Sequence, residues 1–440
     1  MACSNMSGGM DLLSEVRIVL LGGRTTGKST AGNTILGKED FDLRGSAQCV
    51  KRQGEVSGRK ITVVEAPGWQ RNKAIKQVLR QEIVLSVSMC PPGPHAVLLV
   101  MRLDCSSWES EKDMLKGCMM LLTERVWSHV ILLFTCEEWR RDQTIEEYIA
   151  CQGKALQWLV KKCGNRYHVF NYENRNNNTQ VTELLEKIEK MVAGNSGCHL
   201  EIDPKILQDV RWRKEEEERR ATVRRIRGSH QKEYIRSHMY LYHLSEVRIV
   251  LLGYRNAGKS SSGNTILSTE KFGLDQSDQS VKRQGLVAGR IITVVEAPGW
   301  QRNKSWKNIT TGLLEEIVLS MSMCPPGPHA VLLIVSLDFA FEEKQRKSLV
   351  HYLSLLNVSV WSHTMVLFTF GDSLGDTTIE RHIESEGRAL QWLVEKCGNR
   401  YHVFNNKDRN DNTQVLELLE KIEEMVAVNE GHIWNWTQTY

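Results

Sequence analysis

The 440-residue chain contains two long copies of one sequence, and this duplication constrains its fold more than any other feature. The segment "SEVRIVLLG" begins at Ser14 and again at Ser245, and "CGNRYHVFN" begins at Cys163 and again at Cys397. A repeat of this length is a whole domain rather than one unit of a solenoid. The predicted parts are a first domain (12–197), a connecting segment (198–242), a second domain (243–429) and a C-terminal tail (430–440).

Strand and helix patterns alternate within each copy. In the first copy, "VRIVLLG", "HAVLLVMRL" and "SHVILLFT" contain continuous apolar runs, as expected of strands buried on both faces. "GKSTAGNTIL", "TIEEYIACQGKALQWLVKKC" and "NTQVTELLEKIEKMVA" have helical patterns. This order predicts the α/β class, with each domain a mostly parallel sheet flanked by helices.

Composition excludes several classes of protein. The formal net charge of +4 is small for this length, so we expect no nucleic-acid partner. The 11 cysteines form no CxxC pair, which argues against a disulfide framework or a zinc site and favours reduced thiols in the cytoplasm. The apolar runs are of strand length, and the N-terminus lacks the pattern of a signal peptide. The sequence therefore predicts a cytoplasmic protein.

The connecting segment (198–242) is rich in charge. It carries "WRKEEEERRATVRRIRGSHQK" and shows little apolar periodicity. One interpretation is a solvated helical linker. The other is a basic helix that lies on an anionic membrane surface or on a protein partner, and the sequence leaves both open.

Two glycine-rich segments predict phosphate-binding loops. "GGRTTGKS" and "GYRNAGKS" both fit G-x-x-x-x-G-K-[ST], and each follows a buried strand and opens a helix. In such a loop the backbone N–H groups and the helix N-terminus point at phosphate oxygens, and the lysine reaches the outer phosphates. The predicted phosphate-binding residues are Gly22, Gly23, Arg24, Thr25, Thr26, Gly27, Lys28, Ser29 and Thr30, and Gly253, Tyr254, Arg255, Asn256, Ala257, Gly258, Lys259, Ser260 and Ser261.

A magnesium site is predicted beside each loop. The hydroxyl groups of Ser29 and Ser260 can ligate Mg²⁺ directly. The later strand "ITVVEAPGW" ends in Glu65 or Glu296, followed by a glycine (Gly68 or Gly299). GTP switches usually carry an aspartate there, which holds Mg²⁺ through a water. We predict that both glutamates act in the same way.

The nucleotide base is predicted from the segment "FTFGD" in the second copy. A carboxylate at Asp372 can accept hydrogen bonds from N1–H and the 2-amino group of guanine, a pair that adenine lacks. Phe370 and Gly371 precede it, and Phe370 can lie against the base. The first copy has Glu138 at this position, which weakens or rearranges guanine recognition. The alternative is that both acids are solvated loop charges.

Together these motifs resemble a known family. "LLGYRNAGKSSSGNTIL", "VVEAPGW", "MCPPGPHAVLLIV", "FTFGD" and "CGNRYHVFNN" resemble the AIG1-type GTPases, also called GTPases of immunity-associated proteins, over nearly all of both copies. The "PGPHA" box is especially specific, and the tandem arrangement looks like the multi-domain branch of the family. The resemblance implies binding of GTP or GDP with Mg²⁺, self-association through the G domains, and work at intracellular membranes in immune cells. It also places Asn405 and Asn406, and Asn171 in the first copy, in the segment that contacts guanine.

Residues for hydrolysis depart from common patterns. Trp69 and Trp300 stand where many GTPases carry a water-positioning glutamine. Cys105 and Phe339 stand where some members of the family carry an arginine, and Arg102 is only a weak substitute three residues earlier.

The switch I threonine is also missing, and Cys49 and Ser280 lie closest to its place. Two hypotheses follow: a GTP-binding scaffold with slow or no turnover, which these departures favour, or an assembly-stimulated GTPase. An ATP-using kinase is a third class that "FTFGD" disfavours. Because of Glu138, Tyr172 and Cys49 in the first copy, the second domain is predicted to be the more competent binder.

Overall fold

The computed structural model describes most of the chain, and every structural statement below concerns these residues: 13–43, 45–70, 76–104, 108–136, 143–172, 179–238, 243–273, 278–302, 311–354, 356, 358–405 and 412–434. Their contacts separate the chain into a first unit, residues 1–215, and a second unit, residues 216–440. Each unit contains a six-stranded sheet flanked by helices, as the sequence predicts.

The first unit has the strand order β2-β3-β1-β4-β5-β6. Its strands are β1 (Glu15–Gly22), β2 (Val50–Val56), β3 (Arg59–Glu65), β4 (Ala96–Arg102), β5 (Val130–Cys136) and β6 (Tyr167–Asn171). Its helices are α1 (Lys28–Leu36), α2 (Gln77–Ser88), α3 (Trp108–Met119), α4 (Ile145–Cys151), α5 (Lys154–Lys162) and α6 (Thr179–Gly194). A long helix, α7 (Pro204–His238), follows.

The second unit repeats this topology, with the strand order β12-β11-β10-β7-β9-β8. Its strands are β7 (Glu246–Gly253), β8 (Val281–Val287), β9 (Arg290–Glu296), β10 (Ala330–Ser336), β11 (Thr364–Thr369) and β12 (Tyr401–Val403). Its helices are α8 (Lys259–Leu267), α9 (Thr311–Ser322), α10 (Glu343–Ser354), α11 (Ile379–Glu386), α12 (Arg388–Lys396) and α13 (Thr413–Val428).

Strand pairing is parallel except at one end of each sheet. There β2 runs antiparallel to β3, and β8 antiparallel to β9. The apolar pattern of the sequence does not predict β2 or β8, because "VKRQGEV" and "VKRQGLV" are largely polar and partly exposed edge strands. The central strands are buried throughout. Because they are parallel, their carboxyl ends meet at one edge of each sheet, and the loops that follow them converge there.

The segment "TIEEYIACQGKALQWLVKKC" is helical, as predicted, but the helix is interrupted. The segment forms two helices, α4 and α5, and the second unit repeats the break between α11 and α12. Gly153 (φ 84°) and Gly387 (φ 97°) interrupt them in a conformation that favours glycine.

The connecting segment is helical, as predicted, but many of its cations are paired. Arg219 and Arg220 bind Glu216 on the same helix, and Arg224 binds Glu384 of the second unit. None of the helices that the structure describes is long and apolar enough to cross a lipid bilayer.

A buried histidine braces the start of the central strands in each unit. The backbone N–H of Arg17 donates to Nδ1 of His95 (3.1 Å), and that of Arg248 donates to Nδ1 of His329 (2.9 Å). Burial, reinforced by the neighbouring arginine, lowers the pKa of each imidazole to about 4. Both rings are therefore neutral in the folded chain at neutral pH, and a proton at Nδ1 would remove the acceptor.

This brace predicts acid sensitivity. Between the lowered folded pKa and the ordinary value of 6.5, the unfolded state binds more protons, so stability falls as pH decreases. For His329 the loss between pH 7 and pH 5 is about 2 kcal/mol. Urea unfolding at the two pH values should show a smaller loss for His329→Asn than for the unmodified chain. The exposed control His230→Asn should keep the full loss. An unchanged pH dependence in His329→Asn would contradict the prediction.

Candidate functional site

The two glycine-rich segments lie at the carboxyl edge of each sheet. The first joins β1 to α1 and the second joins β7 to α8, which is the strand–loop–helix context of a phosphate-binding loop. Gly27 (φ 81°) and Gly258 (φ 96°) precede the helices in the left-handed conformation. A side chain there would be strained, so the second glycine of the motif has a structural reason in both units.

Neighbouring segments hold each loop in place. The hydroxyl of Thr135 donates to the carbonyl of Thr26 (2.8 Å), and that of Thr369 donates to the carbonyl of Ala257 (2.6 Å). A backbone hydrogen bond also joins each loop to the segment that follows β3 or β9. The N–H of Arg24 donates to the carbonyl of Trp69 (2.8 Å), and the N–H of Arg255 donates to that of Trp300 (2.9 Å). Each loop is thus fixed to two strand ends before any ligand binds.

Both loop lysines are buried without a carboxylate in hydrogen-bond contact. Nζ of Lys28 donates to the carbonyl of Gly23 (2.8 Å), and Nζ of Lys259 donates to that of Tyr254 (3.1 Å). Burial lowers the pKa of each ammonium to about 8, although a nearby glutamate opposes the shift. A Cβ added at Gly68 would lie 2.6 Å from Nζ of Lys28. The absence of a side chain at Gly68 therefore lets this segment approach the ammonium. In the second unit, a Cβ added at Gly299 would lie 2.5 Å from Nζ of Lys259.

A serine and a glutamate meet beside each lysine. The hydroxyl of Ser29 donates to Oε1 of Glu65 (2.9 Å), and that of Ser260 donates to Oε1 of Glu296 (2.8 Å). Burial raises the pKa of both carboxyls, partly offset by the lysine and the serine. Among the described residues, no group of three or more His, Cys, Asp or Glu side chains could hold a metal. A hydroxyl and a carboxylate are nevertheless the hard oxygen donors that Mg²⁺ takes when phosphates and waters supply the rest.

The predicted base-binding segments of the second unit adjoin each other. The backbone N–H of Gly371 donates to the carbonyl of Phe404 (2.9 Å), so the loop after β11 touches the segment after β12. Phe370 (φ 60°) turns the chain, and Asp372 follows in a short helical turn. Asn405 is fixed by its N–H, which donates to Oε1 of Gln414 (3.0 Å). Asn406 and Glu138 lie outside the described residues.

In the first unit a tyrosine reaches the phosphate loop. Asn171 is fixed like Asn405, through Oε1 of Gln180 (2.8 Å). The next residue, Tyr172, donates its hydroxyl to the carbonyl of Gly27 (3.2 Å). Tyr172 therefore connects the predicted base-binding segment to the phosphate loop. The sequence alone did not predict this contact.

The tryptophans in the glutamine position are core residues. Trp69 is 3% exposed and Trp300 is 1% exposed. Trp300 stacks on Tyr352 of α10 (ring centroids 4.3 Å apart) and meets the edge of Tyr254 (5.3 Å). The first unit has Gly23 in place of Tyr254, and a small cavity lies between Gly23 and Trp69. Because both indoles are buried, neither is placed to orient an attacking water.

The switch I candidates point away from the loops. The thiol of Cys49 donates to the carbonyl of Glu82 on α2 (3.1 Å), and burial with Glu82 raises its pKa. The hydroxyl of Ser280 donates to the carbonyl of Glu316 on α9 (3.0 Å). The adjacent helix therefore accepts the hydroxyl hydrogen of Ser280 in this structure.

Phe339, which stands where some members of the family carry an arginine, contacts an arginine from another segment, a contact that the sequence analysis did not predict. The guanidinium of Arg302 lies 4.6 Å from the centre of the Phe339 ring. Arg102 forms a bidentate pair with Asp104 (2.9 and 2.5 Å), which makes it a poor substitute. Cys105 lies outside the described residues. The signal for Arg302 was present in "PGWQRNK", but only the fold brings it to Phe339.

These features define two tandem P-loop α/β domains. A family model described as the AIG1 family matches residues 16–219 and 247–439. The chain belongs to the AIG1 family, as the resemblance indicated.

Similar proteins are found in animals and plants. The chain is 28% identical to GTPase IMAP family member 8 of Homo sapiens over 439 residues, covering 95% of this chain and 63% of that protein. The Mus musculus protein of the same name is 28% identical over 442 residues, 96% of this chain and 57% of that protein. The chain thus spans about 60% of the length of these relatives. Immune-associated nucleotide-binding protein 9 of Arabidopsis thaliana is 30% identical over 197 residues, covering 41% of this chain and 56% of that protein.

Solved structures that match part of the chain include Toc33 from Arabidopsis thaliana in complex with GDP and Mg²⁺. It is 15% identical, with a TM-score of 0.36 over 43% of this chain and 89% of that one. The G domain of the T. maritima FeoB iron transporter is 18% identical, with a TM-score of 0.28 over 41% of this chain and 99% of that one.

Proposed function

We propose that this protein binds guanine nucleotides with Mg²⁺ through G domains at residues 12–197 and 243–429. The observation that carries the proposal is the buried lysine of each phosphate loop. Lys259 is only 6% exposed, and its ammonium is hydrogen-bonded to loop carbonyls alone. A buried cation without a paired anion is costly, and a phosphate bound in the loop would compensate it.

The proposed metal ligands fit the same arrangement. The hydroxyl of Ser260 would ligate Mg²⁺, and Glu296 would hold it through a water or directly; Ser29 and Glu65 would do so in the first domain. When bound, Mg²⁺ would neutralise the charge of the phosphates. The hydrogen bond between each serine and glutamate keeps both oxygen donors beside the loop.

The second domain is proposed as the more competent binder. Asp372, Phe370, Gly371 and Asn405 lie on two loops that contact each other, as recognition of one base requires. In the first domain, the hydroxyl of Tyr172 contacts the loop at Gly27 and narrows that side of the site. A nucleotide bound in the first domain would have to displace Tyr172 or fit beside it.

The protein is proposed to work as a nucleotide-dependent scaffold with slow or no turnover. Trp69 and Trp300 are core residues, and neither Cys49 nor Ser280 faces its phosphate loop. The bound nucleotide would therefore control self-association through the G domains rather than be consumed rapidly. We place this activity in the cytoplasm, with peripheral contact to intracellular membranes or a protein partner through α7.

An assembly-stimulated GTPase is the second candidate, and Arg302 is the observation that favours it. Its guanidinium packs on Phe339, at the position where some family members carry an arginine. An arginine there can stabilise charge that develops on a transferred phosphoryl group. Movement of Arg302 in an assembly would supply the missing group.

Two measurements on the full chain test these proposals. Titration with fluorescent GDP, GTP and ATP should show guanine-selective, Mg²⁺-dependent binding, and Asp372→Ala should remove the guanine preference. ATP binding equal to GTP binding would overturn the guanine assignment. Single-turnover phosphate release should stay slow at all protein concentrations. A steep rise with concentration that Arg302→Met abolishes would replace the scaffold by the assembly-stimulated GTPase.

A further inference from the structure

A cleft of about 270 Å³ lies within the second unit, at the edge of the sheet opposite the phosphate loop. One wall is the part of α7 that belongs to this unit. The other wall is formed by the amino ends of β11 and β12 and by α13. Nothing in the nucleotide site uses this space.

Ion pairs hold α7 over the cleft. Arg224 binds Glu384 (2.7 Å) and the side chain of Asn399 (2.5 Å), and both carboxylate and guanidinium are almost fully buried. Lys232 and Arg236 bind Glu420 on α13 (3.8 and 3.3 Å). The helix is therefore a fixed lid on this unit rather than a solvated connector.

The lid contains a glycine where the cleft is open. Gly228 lines the cleft in the middle of α7, and a Cβ placed on it would meet no atom within 4 Å. Glycine in a helix interior costs about 1 kcal/mol relative to alanine. Gly228 is itself exposed, so a large side chain there would extend into open space beside the cleft.

The cleft has an apolar side. Ile235 of α7, Met365 of β11 and Met425 of α13 line it, with exposures of 5%, 1% and 1%, and Val428 stands at its mouth. Val428 is 41% exposed and offers most of the accessible apolar surface of these four side chains, and the three buried ones make the wall behind it apolar.

The cleft also contains two cations that belong to no ion pair among the described residues. Nζ of Lys421 donates to the carbonyl of Tyr401 (3.0 Å) and meets Nδ1 of His402 (3.2 Å). Arg400 donates to the carbonyls of Thr364 (3.1 Å) and Trp361 (2.7 Å). Among the described residues, neither cation has a carboxylate within 4.0 Å. Burial lowers the pKa of both groups.

The two acids of the cleft already have partners. Glu380 accepts from the hydroxyl of Tyr401 (2.9 Å) and lies 4.0 Å from Arg225, and Glu424 lies 3.9 Å from Arg236. Glu417, Glu424 and Glu380 attract Lys421 from beyond ion-pair distance, so its ammonium has acids nearby but no close anionic partner.

We propose that this cleft binds a small amphipathic carboxylate, with the carboxylate at Lys421 and the hydrocarbon body against Ile235, Met365 and Met425. A carboxylate would form the close ion pair that Lys421 lacks, and the apolar body would occupy the cleft beside Gly228. The bound molecule would bridge α7 and the second domain, so its presence would tighten the lid.

The first unit offers a matched control. Lys187 makes the same two contacts as Lys421, to the carbonyl of Tyr167 (3.0 Å) and to Nδ1 of His168 (3.3 Å). It is exposed, whereas Lys421 is half-buried beneath the lid. Replacing Lys187 therefore removes the same two lysine contacts at a site that has no part in this cleft.

The experiment is calorimetric titration of the full chain with octanoate and, separately, octylammonium. Octanoate should bind and octylammonium should not. Lys421→Met and Gly228→Leu should each weaken octanoate binding about tenfold, the first by removing a charge-assisted contact and the second by adding bulk beside the cleft. Lys187→Met and Thr222→Leu, an exposed position on α7, should change binding less than about twofold.

Three results would overturn the proposal: no octanoate binding, equal binding of octylammonium, or an equal loss in Lys187→Met. Circular dichroism reports whether each variant is folded. If Lys421→Met fails to fold, Gly228→Leu decides alone, since it removes no side-chain contact and adds bulk beside the cleft. Retained octanoate binding in a folded Gly228→Leu chain would then reject the site.

Discussion

Replacing Lys259 with alanine should weaken the binding of GTP to the full chain about 100-fold, because a charged hydrogen bond contributes about 1.5–3 kcal/mol and the ammonium makes more than one contact to phosphate. The lysine is buried before the nucleotide arrives, so little ordering of its side chain opposes binding. Titration with a fluorescent GTP analogue measures the effect.

The matched variant is Lys28→Ala in the first domain. It should leave the tighter binding phase nearly intact, because that phase is assigned to the second domain. A chain in which Lys28→Ala removes the tighter phase and Lys259→Ala spares it would invert the assignment of the competent domain. The same titration thus separates nucleotide binding by the chain from the ranking of its two domains.

The position of the phosphate loops could be predicted from sequence, because it depends on short-range patterns. Buried parallel strands read as continuous apolar runs, and the loop motif fixes which strand end becomes the site. The contact between Ser29 and Glu65 follows from the same logic, since β1 and β3 are parallel neighbours whose ends meet.

Other features depended on side chains that meet only in the folded chain. The stack of Trp300 with Tyr352 and Tyr254 joins three elements, and no local pattern relates them. The same holds for Ser280, whose hydroxyl is taken by α9, and for Tyr172 at Gly27. The break between α4 and α5 was readable at Gly153, but the helical pattern on both sides concealed it.

The sequence of the connecting segment is typical of a solvated helix, but ion pairs with other elements of the second unit hold part of α7 in place. Arg224 should be the residue of α7 whose loss costs most, because its partner Glu384 has only 5% side-chain exposure and the arginine 9%. Arg224→Met would leave that carboxylate buried without a cation. We expect a loss of about 3–5 kcal/mol in the free energy of unfolding of the second unit. Urea unfolding measures it, and hydrogen exchange identifies the unit that opens.

Arg220→Met is the matched control on the same helix. Arg220 is 53% exposed and its partner Glu216 also pairs with Arg219, so the loss of Arg220 should cost far less than the loss of Arg224. The double variant Arg224→Met, Glu384→Leu should recover most of the stability, because the penalty comes from the stranded charge rather than from the lost attraction. If Arg224→Met costs no more than Arg220→Met, the helix is held by packing alone, and the ion pairs that fix the lid over the cleft contribute nothing to it.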